Sequence, residues 1–170
     1  MENLSLIAAI GRSGELGLDN HLLWKIPEDL SFYREFTYYQ NIIMGRKTFE
    51  SMPAVALQNR NIFVLSRKKI DHYCDANVFI NIEELIKYIN INNDQSFIVV
   101  GGSQIYRELL PYVDTMYLTE INENAEADTF FPYVNMEEWN VETIYHHDPD
   151  YQSNDKVSYV RNRYTRKKVK

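Results

Sequence analysis

The chain has 170 residues and 20.2 kDa, 45% hydrophobic and 25% charged, the balance of one folded domain with a full core and not of a disordered chain. Its one cysteine, Cys74, excludes an intrachain disulfide framework and a multi-cysteine zinc site, and suits a reducing compartment. Net charge is −6 although six basic residues and no acid occupy the last ten positions, so the body is acidic and ill suited to non-specific nucleic-acid binding.

Residues 4–10 form a continuous apolar run, which predicts a buried strand. Residues 11–25 then predict a long loop, with Gly11, Gly14 and Gly17 as hinges and Leu22, Leu23 and Trp24 as apolar weight. Such a segment suits a lid over a ligand; a surface loop that packs Trp24 is the alternative. Pro27 followed by Glu28 and Asp29 predicts a helix over 27–37. Further strands are predicted at 41–44, 62–65, 97–100 and 115–121, and helices at 47–52, 83–90 and 103–110, the last stopped by Pro111.

Strands at 139–146 and 157–164 have no helix between them, only the polar segment 147–155, and predict an antiparallel pair closing the sheet. The fold class is therefore α/β, an open, mostly parallel sheet of about eight strands flanked by helices, with right-handed crossovers. One domain over 1–170 is expected. The basic end reads as a frayed, solvated terminus, with a nucleic-acid or membrane patch as the alternative. No run reaches the roughly 18 apolar residues of a membrane span, and Met1-Glu2-Asn3 opens no signal peptide. A cytoplasmic protein is expected.

Four places can carry chemistry. Asp29 lies in the first turn of a largely apolar helix, where it is either a group complementing the helix dipole or a carboxylate facing a pocket, able to manage a proton or bind a cationic heterocycle. Gly45-Arg46-Lys47-Thr48 joins a buried strand to a short helix with free amides, two cations and a hydroxyl, an anion site at a strand's carboxyl end. Ser66-Arg67-Lys68 repeats that position after the next strand, which points to a ligand with more than one phosphate. Gly101-Gly102 allows close backbone approach to a pyrophosphate, although G-x-G-x-x-G is absent. His146 and His147 have poor ligand spacing, His21 and His72 are isolated, and no metal is indicated.

In combination these segments resemble the dihydrofolate reductase family of bacterial type. The residues that carry the likeness are Leu6-Ile7-Ala8-Ala9-Ile10, Gly17-x-x-Asn20, Trp24-x-x-Pro27-x-Asp29-Leu30, Met44-Gly45-Arg46-Lys47-Thr48, Asn59-Arg60, Leu65-Ser66-Arg67, Val99-Val100-Gly101-Gly102, Tyr117-Leu118-Thr119 and Asp128-Thr129-Phe130-Phe131-Pro132.

The resemblance implies NADPH-dependent reduction of 7,8-dihydrofolate to tetrahydrofolate, serving one-carbon metabolism, by a monomer that antifolates can inhibit. Asp29 would bind the pterin ring and promote protonation of N5 through water that Trp24 helps hold, with Thr119 bonded to the carboxylate. Leu22 and Tyr106 would complete the catalytic set. Ile7, Ala8 and Val100 would contact the pterin; Leu30, Tyr33, Met52 and Leu57 would enclose the aminobenzoyl group; Arg60 would take the glutamate carboxylate.

For the cofactor, Arg46, Ser66 and Arg67 would hold the 2′-phosphate beside Leu65. Gly45, Lys47 and Thr48 with Gly101, Gly102, Ser103, Gln104 and Ile105 would cradle the pyrophosphate, across a cis Gly–Gly bond. Ala9, Leu16, Gly17, Asn20 and Tyr106 would border the nicotinamide and its ribose. The chain departs from the family pattern at Leu22, Leu23, Tyr33 and Gln58, and residues 54–56 read as a lengthened loop. A related reductase acting on a ribosylaminopyrimidine is the rival; Arg60 and the apolar middle of the pocket speak against it. An RNA-binding module using the basic tail is the non-enzymatic rival, against which stand Asp29, Trp24 and Thr119.

Overall fold

The computed structural model describes residues 2–68, 75–149 and 156–168; Cys74, His72 and residues 150–155 of the polar segment lie outside these. In chain order the elements are β1 (Leu4–Ile10), β2 (Glu15–Leu18), β3 (His21–Leu22), α1 (Pro27–Thr37), β4 (Asn41–Gly45), α2 (Arg46–Ser51), α3 (Ala54–Leu57), β5 (Asn61–Leu65), β6 (Ala76–Phe79), α4 (Ile82–Ile91), β7 (Phe97–Gly101), α5 (Ser103–Leu109), β8 (Thr115–Ile121), β9 (Thr129–Phe130), β10 (Trp139–His147) and β11 (Tyr159–Arg166).

Eight strands make one sheet in the order β10-β11-β8-β1-β7-β4-β5-β6. From β8 to β6 every pairing is parallel, and β11 runs antiparallel to both β8 and β10. The open, mostly parallel sheet with an antiparallel last strand is thus as the sequence predicts. Period-two alternation divides its side chains between two cores. Leu4, Leu6, Phe63, Phe97 and Val99 face Leu85 and Ile89 of α4 and Ile105 and Leu109 of α5. Ile7, Ile42, Met44, Val64, Ile98 and Val100 face Phe49 of α2 and the aromatic side of α1, Phe32, Tyr33 and Phe36. Both faces are covered, which is why these strands read as unbroken apolar runs.

Local signals end the helices where the residues dictate. Pro27 occupies the first turn of α1, where its missing N–H costs nothing. Asn81 caps α4 by accepting from the Glu84 amide at 2.9 Å. α5 ends at Leu109, and Pro111 falls in a following 3-10 turn, Leu110–Tyr112.

Three expectations need correction. The segment 11–25 is not an open loop: it contains β2 and β3, which join β9 in a second sheet of order β3-β2-β9. Residues 54–56, read as a lengthened loop, lie in a helical turn, α3 (Ala54–Leu57). Up to Arg166 the basic end is not a frayed terminus, because β11 is an internal strand and Arg161 is only 3% exposed. Among the described residues no helix is long and apolar enough to cross a membrane, and no three acidic, histidine or cysteine side chains converge on a metal site.

Candidate functional site

α1 starts beside the carboxyl-terminal halves of β1 and β8, and this brings Asp29 to Thr119. The Thr119 hydroxyl donates to Asp29 Oδ1 at 2.6 Å. Arg161, cross-strand from Thr119 on β11, donates to the same oxygen through Nη2 at 2.9 Å, and its Nε donates to Thr119 Oγ1 at 3.1 Å. The remaining guanidinium bonds go to Glu28, from Nη1 to Oε1 at 3.3 Å and from Nη2 to Oε2 at 3.1 Å, and Tyr159 donates to Glu28 Oε2 at 2.7 Å. The guanidinium also lies 3.7 Å from the centre of the Phe32 ring, a cation–π contact in a desolvated setting.

A buried guanidinium is tolerated only when it is paired and its N–H groups are bonded. Burial works against the charge of Arg161, but bonds to Glu28 and Asp29 outweigh it and raise its pKa further. Burial also opposes ionisation of Glu28, yet bonds from Arg161 and Tyr159 hold its carboxyl below the usual range. The sequence puts Tyr159 and Arg161 in the predicted strand 157–164 and Glu28 beside Asp29 in the first helical turn, but it counts Arg161 with the solvated basic end and marks none of the three as a site residue. The available signal was that Tyr159 and Arg161 share one face of a strand with period two.

Around Asp29 the α1 side of the sheet forms an apolar wall: Ile7 and Val100 are buried, with Tyr33, Met52 and Leu57 packed on them. Burial raises the Tyr33 phenol, whose hydroxyl lies 3.9 Å from Met52 Sδ. Leu30 is half-buried on α1. Ala8 differs, because its methyl group belongs to the opposite core and leaves only backbone toward this wall.

At the wall's far end Arg60 donates from Nε to Thr37 Oγ1 at 2.9 Å, from Nη1 to the Gln58 carbonyl at 2.6 Å and from Nη2 to the Arg34 carbonyl at 3.0 Å. Three of the five guanidinium N–H groups are so engaged, and one remains on each Nη, the geometry that receives a carboxylate bidentately.

Adjacent strands β7, β4 and β5 end together, which sets their three following turns side by side. A Cβ on Gly102 would lie 3.1 Å from Thr48 Oγ1, and one on Gly45 would lie 3.0 Å from Ile105, so the first two turns interlock. The Gly101–Gly102 bond is cis, and Gly101 has φ +122, a region open to glycine. Arg46 pairs with Glu50 at 2.7 Å while Lys47 and Arg67 are exposed. The buried Ser66 hydroxyl donates to the Lys68 carbonyl at 2.8 Å. Leu65 is half-buried, Ser103 begins α5, and Gln104 bonds Glu108 at 2.7 Å. Beneath these turns Tyr106 is buried and donates to the Ile7 carbonyl at 2.8 Å; burial pushes its pKa up.

The small sheet is tied to the segment 122–130. Trp24 donates from Nε1 to Glu123 at 3.2 Å, and the Thr129 hydroxyl to the Gly17 carbonyl at 3.1 Å. Trp24 and Ala9 pack on Ile26, Ile121 and Tyr159. Leu16 packs against the α5-side core, whereas Asn20 and Leu22 are exposed. Glu15, which sequence reading did not single out, is buried and accepts from the Ser13 amide at 2.8 Å and from Asn124 at 2.7 Å.

Open α/β sheets take their ligands beyond the carboxyl ends of the strands, and here that end carries both the Asp29 cluster and the glycine-marked basic turns. The class so defined is a nucleotide-dependent α/β enzyme. The family model described as dihydrofolate reductase matches residues 3–166. The dihydrofolate reductase of Staphylococcus haemolyticus is 37% identical over 136 residues, covering 80% of each chain, and that of Haemophilus influenzae is 35% identical over 142 residues, covering 81% of this chain and 84% of its own. Among solved structures, dihydrofolate reductase from Enterococcus faecalis complexed with NADP(H) and RAB-propyl superposes with a TM-score of 0.83 at 30% identity, covering 97% of this chain and 96% of that one. The chain belongs to the dihydrofolate reductase family.

Proposed function

We propose that Asp29 is the carboxylate that binds the pterin ring while this NADPH-dependent reductase converts dihydrofolate to tetrahydrofolate. The observation that carries the assignment is the placement of Asp29. Its Oδ1 takes bonds from Thr119 and Arg161 at 2.6 and 2.9 Å, and it stands at one end of the apolar wall of Ile7, Val100, Tyr33, Met52 and Leu57. A planar heterocycle on that wall has its polar edge at Asp29 Oδ2, which accepts from N–H groups of the pterin, and Asp29 favours protonation at N5 through an intervening water. Ile7, the Ala8 backbone and Val100 contact the ring; Leu30, Tyr33, Met52 and Leu57 enclose the aminobenzoyl group; Arg60 takes the tail carboxylate with its two remaining Nη hydrogens.

The three strand-end turns fit NADPH. Gly45, Gly101 and Gly102 leave backbone bare between them, and Arg46, Lys47 and Arg67 set cations around it. NADPH supplies the hydride when bound. The chain's work is to orient the two reactants against each other and exclude water, for which the small sheet carrying Leu16, Gly17 and Asn20 is the cover. The reading takes the protein as a monomer of one domain in the cytoplasm.

The test is NADPH oxidation on addition of dihydrofolate, followed by absorbance, with NADH and a ribosylaminopyrimidine as parallel arms. Turnover confined to dihydrofolate with NADPH is the expected result. Turnover of the pyrimidine alone overturns the substrate assignment.

A further inference from the structure

We propose that Arg161 positions Asp29 and tunes the charge selectivity of the pocket: its guanidinium fixes the carboxylate by Oδ1 and offsets part of its charge, which weakens the pocket's attraction for cationic heterocycles relative to neutral ones. This rests on the reading of Asp29 as the pterin-binding group.

The argument begins with the guanidinium. It is 3% exposed, stacked on Phe32, and bonded at once to Asp29, Glu28 and Thr119. Such a group is held in one orientation from several sides, and together with the Thr119 hydroxyl it gives Asp29 Oδ1 two donors whose positions are set by β8 and β11. Rotation of the carboxylate would break both bonds. Oδ2 therefore points where α1 and the two strands direct it.

The second part is charge. Two carboxylates share one guanidinium, so the cluster of Glu28, Asp29 and Arg161 carries one net negative charge. A cationic heterocycle at Asp29 meets the guanidinium 2.9 Å from its own anchoring carboxylate. A neutral pterin needs only the acceptor and suffers no such repulsion. The side chains of Asp29 and Glu28 are 20% and 36% exposed, so water can replace the guanidinium if Arg161 becomes apolar, and Arg161→Met keeps the packing on Phe32.

The experiment compares wild type with Arg161→Met, Arg161→Lys and Glu28→Gln. The readouts are dissociation constants for dihydrofolate, for trimethoprim as the basic diaminopyrimidine and for NADPH, together with kcat and KM for dihydrofolate. Arg161→Met is expected to shift the ratio of the two heterocycle affinities about tenfold toward trimethoprim, the effect of one nearby charge in a half-buried site. Its kcat falls by a similar factor, while NADPH affinity stays within about twofold. Arg161→Lys restores the ratio but not kcat, because it returns the charge without the fork.

Glu28→Gln shifts the ratio the other way, toward dihydrofolate, and serves even if Arg161→Met does not fold. An unchanged ratio in every variant that folds overturns the proposal, as does an equal loss for all three ligands. Asp29→Asn separates the two readings. If it retains wild-type turnover, the assignment of Asp29 fails; if it is inactive while the Arg161 and Glu28 variants match wild type, only the role of Arg161 fails.

Discussion

Thr119 and Asp29 are ninety positions apart in the chain and are joined by a 2.6 Å hydrogen bond from hydroxyl to carboxylate. The bond exists because β8 lies beside β1, with Ala9 opposite Thr119, and because α1 returns over that pair. The same hydroxyl accepts from Arg161, so one threonine links the Asp29 carboxylate to a buried cation.

Replacing Asp29 by Asn removes the negative charge while keeping shape and one acceptor. Turnover of dihydrofolate near neutral pH is expected to fall by about 100-fold or more, the range of a positioned proton-managing group. NADPH affinity, measured by fluorescence titration, should stay close to wild type because the strand-end turns are untouched.

Arg46 and Arg67 are assigned to the cofactor's 2′-phosphate, yet Arg46 is paired with Glu50 across one helical turn. An exposed pair of this kind contributes about 0.3–0.5 kcal/mol, so a phosphate can displace it. Arg46→Ala with Arg67→Ala should remove most of the preference for NADPH over NADH in kcat/KM. Glu50→Gln, which releases Arg46 from its partner, should tighten NADPH binding modestly. An unchanged preference in the double variant would discard the assignment.

Glu15 supports the small sheet from beneath. Burial opposes its ionisation, but bonds from Asn124 and from backbone amides prevail and hold its pKa below the ordinary glutamate value. The folded state then binds fewer protons than the unfolded one, so this contribution is fully present above about pH 4.3 and is lost as pH falls through the folded pKa. The Tm deficit of Glu15→Gln relative to wild type should be largest near neutral pH and shrink on acidification. A deficit independent of pH would show that charge is not the cause.

Gly11 is closely approached by the tethers of the same sheet. A Cβ there would meet the Glu15 carboxylate, come within 2.6 Å of a Trp24 ring carbon and lie 3.0 Å from the Glu123 carbonyl. Gly11→Ala forces Trp24 or the segment 122–130 to move, at a cost of about 1–3 kcal/mol by analogy with overpacked cores. Urea unfolding measures that loss. If the small sheet covers the cofactor, KM for NADPH should rise as well.

Where a signal is local, the sequence alone was enough. The alternating or unbroken apolar runs of β1 and β8 have the bounds read from them, and Pro27 with two acids marks the start of α1. The glycine and basic turns could be placed after strands, which by itself sets them at one end of a parallel sheet. The motif set around Trp24, Asp29 and Met44 to Thr48 was legible as a family likeness before any geometry was known.

Tertiary structure alone decided the rest, since what decided it was pairing between distant segments. A strand of two residues, like β3 or β9, has too few alternations to leave a periodic trace, so the segment from Gly11 to Lys25 read as an open loop. Arg161 read as one charge among six in a basic tail. Only the insertion of β11 between β8 and β10, in the register that sets Arg161 opposite Thr119, turns that charge inward beneath Asp29. A one-residue slip would have turned it to the other face of the sheet, and the sequence near Arg161 has no means of specifying that partner by itself.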